Sequence, residues 1–154
     1  MKLKHFILTL TETPIRPSFY FREDFKDYSI ISYTEISDSQ KDFIEKTFND
    51  VMKLAGQDKL KEKFNIKIFY NEHAFNSYYE NKRGESIYST LGKKIGACYD
   101  YRENCIWIPK YYVEDTTTLS HEIFHAIAVN NEIKLTDPES MAYIIGEYLD
   151  KRRK

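Results

Sequence analysis

A five-residue segment, His-Glu-Ile-Phe-His at positions 121–125, constrains this chain more than any other feature. Residues four apart lie one turn apart on the same face of an α-helix, so His121 and His125 can direct a ring nitrogen at one ion. Glu122 stands about 100° further round the helix, where its carboxylate can reach a water molecule beside that ion without binding the ion itself. The segment therefore predicts a metal-assisted hydrolytic site with Glu122 as general base.

The residues around this segment favour a helix that packs in a protein core. Asp115 or one of the three threonines that follow it can cap a helix that runs to about Asn130. One face of this helix is apolar, through Leu119, Ile123, Phe124, Ala126 and Ile127. An ordinary helix, on which the two histidines only pack or form hydrogen bonds, is the alternative interpretation.

A hydrolytic zinc site has three protein ligands and one open coordination position, so the two histidines require a third donor. Asp137 and Pro138 mark the start of a last helix, which places Glu139 in its first turn. Other acidic residues are less suitable, because Asp137 serves as the N-cap, Glu132 lies in the loop and Glu147 follows two turns later. We therefore predict Glu139 as the third ligand of one Zn²⁺ per chain. A glutamate that only stabilises the helix N-terminus is the alternative.

Small residues on the last helix would let it approach the helix of His121. Ala142, Tyr143 and Gly146 share the face of Glu139 at helical spacing, and two of them are small. Tyr143 is a candidate hydrogen-bond donor to the oxyanion or a substrate contact, with packing as the alternative role. The sequence does not determine which metal ion is bound, because two imidazoles and a carboxylate also accept iron, nickel or manganese.

The remaining sequence predicts an α+β fold in a single domain of residues 1–154. Extended segments are expected at 5–11, 28–36, 66–70, 95–99 and 105–109, the last two as a hairpin that turns at 101–104. An amphipathic helix is expected from Ser37 or Ser39 to Gly56, and a helical turn at 72–81. Residues 1–36 are predicted to be extended, and the part between Pro17 and Asp27 could alternatively be a mobile arm. The prediction is a small, mostly antiparallel sheet packed on an amphipathic helix and followed by two further helices.

Composition argues against several classes of partner. The 23 basic and 24 acidic residues give a net charge of -1, so neither nucleic acid nor an anionic membrane is expected as the main partner. We expect a soluble protein, because no apolar run approaches the roughly 20 residues that cross a bilayer, and reduced thiols favour a cytoplasmic location. Cys98 and Cys105 flank the predicted turn and could face each other, although reduced thiols are the favoured interpretation. His5 and His73 have no partner at ligand spacing.

The motif and the later glutamate resemble those of the zincin metallopeptidases, in the branch whose third ligand is a glutamate on a later helix. The resemblance covers residues 105–150. It implies a minimal zincin-like domain that hydrolyses peptide or protein substrates with zinc. It also implies an antiparallel edge strand before the motif helix that holds the substrate in extended form. That role would fall to Cys105, Ile106, Trp107 and Ile108.

The sequence departs from two well-defined zincin branches. Ala128 and Asn131 stand where the metzincin pattern has Gly and His, and the second motif of thermolysin-like enzymes is absent. The run of Glu139, Ala142 and Tyr143 is more similar to compact domains, including repressor-cleaving metallopeptidases of mobile elements and small phage proteins. This resemblance implies a phage or mobile-element protein partner and a location in the host cytoplasm or the virion. A catalytically inactive zincin-fold component of a phage particle is the alternative function.

Overall fold

The computed structural model describes residues 20–84 and 96–154. Its strands are β1 (Phe21–Asp24), β2 (Tyr28–Ser32), β3 (Phe64–Phe69), β4 (Cys98–Asp100) and β5 (Cys105–Pro109). Its helices are α1 (Asp38–Leu54), α2 (Glu72–Arg83), α3 (Thr116–Asn130) and α4 (Pro138–Arg152), with a 3₁₀ turn at Lys110–Tyr112. The predicted α+β class is confirmed. The segment predicted at 5–11, together with His5 and Pro17, lies outside the described residues.

The five strands form one mixed sheet in the order β1-β2-β3-β5-β4. The two outer pairs, β1 with β2 and β4 with β5, are antiparallel. The two inner pairs, β2 with β3 and β3 with β5, are parallel, and α1 and α2 provide the crossovers that parallel neighbours require. The predicted hairpin at 101–104 is confirmed, with its first strand limited to Cys98–Asp100 in the described residues.

The strand Cys105–Ile108 is not at the edge of the sheet, so the prediction of an edge strand at this position was wrong. This strand, β5, pairs with β3 on one side and with β4 on the other, so both of its backbone edges are occupied within the sheet. Of the two strands of the hairpin, β5 pairs with β3 inside the sheet, and β4 lies on the outer side of β5. In the part of the chain that the structure describes, the edge on this side is β4.

Apolar side chains cover both faces of the sheet. On one face, α1 and α3 pack against β2, β3 and β5 through a core that includes Ile44, Phe48, Ile66, Ile106 and Ile123. On the other face, α2 covers Phe69, Cys105 and Trp107 with Phe75 and Tyr79. Because side chains alternate between the faces along a strand, β3 and β5 contribute to both cores. The sheet is therefore a buried middle layer, and α3 is held firmly against it.

Local sequence signals account for the helix boundaries. Ser37 caps α1 through a capping box with Gln40, as its position before the amphipathic run predicts. Asp137 accepts a hydrogen bond from the backbone N–H of Ser140 and begins α4, with Pro138 in the first turn. α2 is longer than the turn predicted at 72–81, and Gly84 ends it with a φ of 69°.

Three further expectations from the sequence can be compared with the structure. Phe21–Asp24 is paired with β2, so the interpretation of a mobile arm was wrong for these residues. None of the described helices is long and apolar enough to cross a membrane. Cys98 and Cys105 are free thiols, as favoured. Cys98 pairs with Trp107 and Cys105 pairs with Asp100, so the two cysteines are diagonal neighbours across the hairpin. The Cα atoms of diagonal neighbours are about 7–8 Å apart, which is beyond the ordinary reach of a disulfide.

Candidate metal centre

Two imidazole nitrogens face each other on α3. The Nε2 atoms of His121 and His125 lie 3.3 Å apart, as the spacing of one helical turn predicts. Both side chains are largely buried, with exposed fractions of 10% and 20%. α3 holds them in place because its apolar face, from Leu119 to Ile127, is packed in the core. The helix therefore presents two histidine ligands from a rigid element.

The carboxylate of Glu139 completes the group from α4. Its Oε1 lies 2.8 Å from His125 Nε2, and its Oε2 lies 3.2 Å from His121 Nε2. Ligand atoms around a tetrahedral zinc ion, with bonds of about 2.0–2.1 Å, are about 3.3 Å apart. In the described residues, these three side chains could hold a metal ion. The donor set fits a tetrahedral ion with one position left open, and Glu139 is where the sequence predicted it.

A close approach between α3 and α4 brings Glu139 to the histidines. Ala142 is fully buried against α3, and a Cβ on Gly146 would stand 3.1 Å from the backbone oxygen of Thr117. This is tighter than ordinary van der Waals contact, so a side chain at position 146 would require the two helix backbones to move apart by a few tenths of an ångström. The small residues that the sequence places on the face of Glu139 therefore have the packing role expected of them.

Burial changes the protonation of the first histidine. Removal from water lowers the pKa of His121, and the neighbouring His125 acts in the same direction, while the Glu139 carboxylate partly opposes both. His121 is therefore neutral near pH 7, which leaves a lone pair on one ring nitrogen. A neutral imidazole is the form that binds a metal ion.

Glu122, the residue after His121, is buried close enough to the ligand group to sense the charge of Glu139. Its side chain is buried, and burial together with the charge of Glu139 raises its pKa to about 8. The backbone N–H of Tyr99 in β4 donates a hydrogen bond to its carboxylate, which partly opposes the shift. A cation held by the three ligands would also lower this pKa, because it stabilises the carboxylate. The site thus places one carboxyl group in a dry environment beside the predicted metal.

Tyr143 borders the site at the protein surface. Its ring packs edge-on against His121, with 4.6 Å between ring centroids, and about half of its surface is exposed. The contact supports the orientation of the His121 ring. It also leaves the tyrosine accessible to a molecule bound at the metal centre.

The structure brings together four of the predicted residues and separates the rest. Glu122, His121, His125 and Glu139 form the centre, and Tyr143 borders it. The β5 residues lie within the sheet, and Trp107 faces the core beneath α2. Sequence reasoning missed Tyr99, whose contribution comes from its backbone and therefore leaves no signal in the identity of its side chain.

Comparisons of the chain with family models, curated proteins and solved structures find no match.

Proposed function

We propose that this chain is a zinc-dependent peptide-bond hydrolase of the zincin type. The observation that carries the proposal is the convergence of His121, His125 and Glu139 at ligand spacing beside the buried Glu122. A purely structural zinc site more commonly has four protein ligands and no use for a buried carboxyl group. Three ligands with an adjacent carboxyl group are typical of a site that activates water.

The residues of the chain divide the chemistry between them. A zinc ion bound at the three ligands would supply Lewis acidity toward a carbonyl oxygen and lower the pKa of a water molecule. Glu122 would accept the proton of the attacking water and return it to the leaving amine nitrogen. Burial, which raises the pKa of this carboxyl group to about 8 without a metal, favours the protonated form that the second half of the cycle requires, while the cation would favour the carboxylate that the first half requires.

The backbone of a peptide substrate could pair with β4 at the edge of the sheet. β4 is the outermost described strand on the side of α3, and Tyr99 in its centre already contacts Glu122 through its N–H group. An extended peptide that pairs with β4 would therefore lie next to the metal centre. The choice of zinc stays a prediction from the donor set, and a phage or mobile-element partner and a location in the host cytoplasm or virion stay predictions from the resemblance.

A digestion experiment tests the proposed function. Zinc-loaded protein is incubated with a mixture of several hundred synthetic peptides, and new termini are identified by mass spectrometry. Glu122→Gln and the parent treated with a chelator serve as controls. We expect new termini with the parent alone. Absence of new termini with the zinc-loaded parent would contradict hydrolysis and favour a binding component that keeps the fold without turnover, and equal new termini from the parent and Glu122→Gln would contradict Glu122 as the general base.

A further inference from the structure

A small cavity lies directly beside the metal centre, on the C-terminal side of His125. Its volume is about 260 Å³, below the roughly 300–1,000 Å³ of sites that hold whole small molecules, so it suits a single side chain. His125 forms one wall and also contributes its Nε2 to the ligand group. The remaining walls are mainly apolar, formed by Ala128, Val129, Ile133, Leu135 and Pro138.

The end of α3 builds this apolar wall. Glu132 has a φ of 53°, and the turn is closed by a 2.8 Å hydrogen bond from Ile133 N–H to the Ala128 oxygen and a 3.2 Å bond from Glu132 N–H to the Val129 oxygen. This is the bond pattern of a Schellman motif, which commonly brings the residue after the left-handed position onto the last helical turn. Ile133 and Leu135 pack partly against the main core, so the wall is anchored.

Charge at the cavity favours an apolar occupant. Glu132 and Lys134 border it with opposite charges and are both exposed, so they give no net preference for an anion or a cation. A charged group placed against Ala128 and Leu135 would lose hydration, and the exposed Glu132 and Lys134 at the rim would return little of that cost, because ion pairs in water are weak. An aliphatic group would gain free energy from the apolar surface that it covers.

We infer that this cavity is a specificity subsite for one aliphatic side chain of the substrate, next to the bond that is cleaved. The inference rests on the proposed function, because it takes the ion at His121, His125 and Glu139 as the reference point for the substrate. Val129, which is half exposed, and Leu135 would then determine which residue is accepted. The substrate class is peptides with an aliphatic residue, rather than an acidic or basic one, beside the scissile bond.

Three hydroxamic acids test the subsite without requiring turnover. Acetohydroxamic acid has no side arm, while 4-methylpentanohydroxamic and succinic monohydroxamic acids carry an isopropyl and a carboxylate end of nearly equal shape on the same linker. Their affinities for zinc-loaded protein are measured by calorimetry. We expect the methylpentano compound to bind about tenfold more tightly than either of the others, because its aliphatic end is removed from water.

Matched variants identify the surface responsible. Val129→Glu introduces a carboxylate at an exposed lining position and should reduce the tenfold preference to about twofold or less. Leu54→Glu makes the same change near the end of α1, at a side chain that is 40% exposed and remote from the centre, and should leave the preference intact. Equal affinities of the two armed compounds for the parent, or a preference that Val129→Glu leaves unchanged, would overturn the subsite alone. Failure of all three compounds to bind zinc-loaded protein would overturn the open coordination position, and with it both the subsite and the proposed function.

Discussion

Gly146 lies so close to Thr117 that a Cβ on the glycine would stand 3.1 Å from the threonine backbone oxygen. This contact joins α4 to α3 two helical turns beyond Glu139, the only candidate ligand that α4 supplies among the described residues. The distance between the helices therefore decides whether the Glu139 carboxylate can meet the histidine nitrogens. Packing and metal binding are coupled at this helix pair.

Gly146→Val should weaken both the fold and the metal centre. The branched side chain would force α4 away from the backbone of Thr117, and overpacking of this kind costs about 1–3 kcal/mol. We expect a lower melting temperature and a weaker zinc affinity, measured by calorimetry and by competition with a chelator. Ile144→Val, on the exposed side of the same helix, is the control and should change neither. Normal zinc affinity in Gly146→Val would show that the close approach does not position Glu139.

Glu122→Gln should separate catalysis from metal binding. The amide keeps the shape of the side chain but cannot accept the proton, so peptide hydrolysis should fall by at least roughly a hundredfold. Zinc stoichiometry should equal that of the parent. The variant should melt at or above the temperature of the parent, because a neutral amide avoids both the burial of a charge and the proton uptake that the raised pKa of Glu122 imposes on folding near pH 7. The measurements are cleavage rate, metal content and thermal unfolding; loss of zinc together with activity would make Glu122 a ligand rather than a base.

The sequence contained enough local information to predict the helices and the three side chains that converge at the candidate metal centre. Spacing within one turn fixes the relation of His121 to His125, and the Asp137 cap fixes where Glu139 stands on α4. Small residues at 142 and 146 indicated that the two helices approach each other. Each of these inferences depends on neighbours within a few residues along the chain, which is why they could be made without a structure.

The order of the strands could not be predicted in the same way. Either strand of the hairpin could pair with β3, since Cys98–Asp100 and Cys105–Pro109 both read as short strands. Contacts between segments about 40 residues apart, such as Ile66 with Ile106, decide that β5 lies inside and β4 outside. The position of β4 at the edge of the described sheet and the contact of Tyr99 with Glu122 follow from that order, so both were missed.

The two cysteines should be unreactive in the folded protein. Burial raises the pKa of Cys105 to about 12, and burial together with the charge of Glu122 raises that of Cys98 as well. Folded protein therefore retains both thiol protons above the ordinary value of about 8.5, where unfolded chains lose theirs, so stability should fall as pH rises from about 8.5 toward 12.

Timed alkylation with iodoacetamide checks this expectation. At pH 8, each thiol in the native protein should react at least roughly a hundredfold more slowly than in protein unfolded by urea, because only the thiolate reacts. Mass spectrometry of the digested protein distinguishes the two positions. Reaction of native Cys98 at the rate seen in urea would mean that β4 opens readily, which would also weaken the assignment of β4 as a firm substrate edge.

Metal analysis of the purified protein, prepared without a histidine tag, tests the central claim most directly. The parent, Glu139→Ala and the control Glu147→Ala are each dialysed against zinc and then against buffer before elemental analysis. Glu147 is an exposed glutamate on the same helix, two turns beyond Glu139, so both variants lose one carboxylate from α4. We predict about one zinc ion per chain in the parent and in Glu147→Ala, and a clear loss in Glu139→Ala. A parent that retains no metal, or a Glu139→Ala variant that retains as much as the parent, would contradict the three-ligand centre.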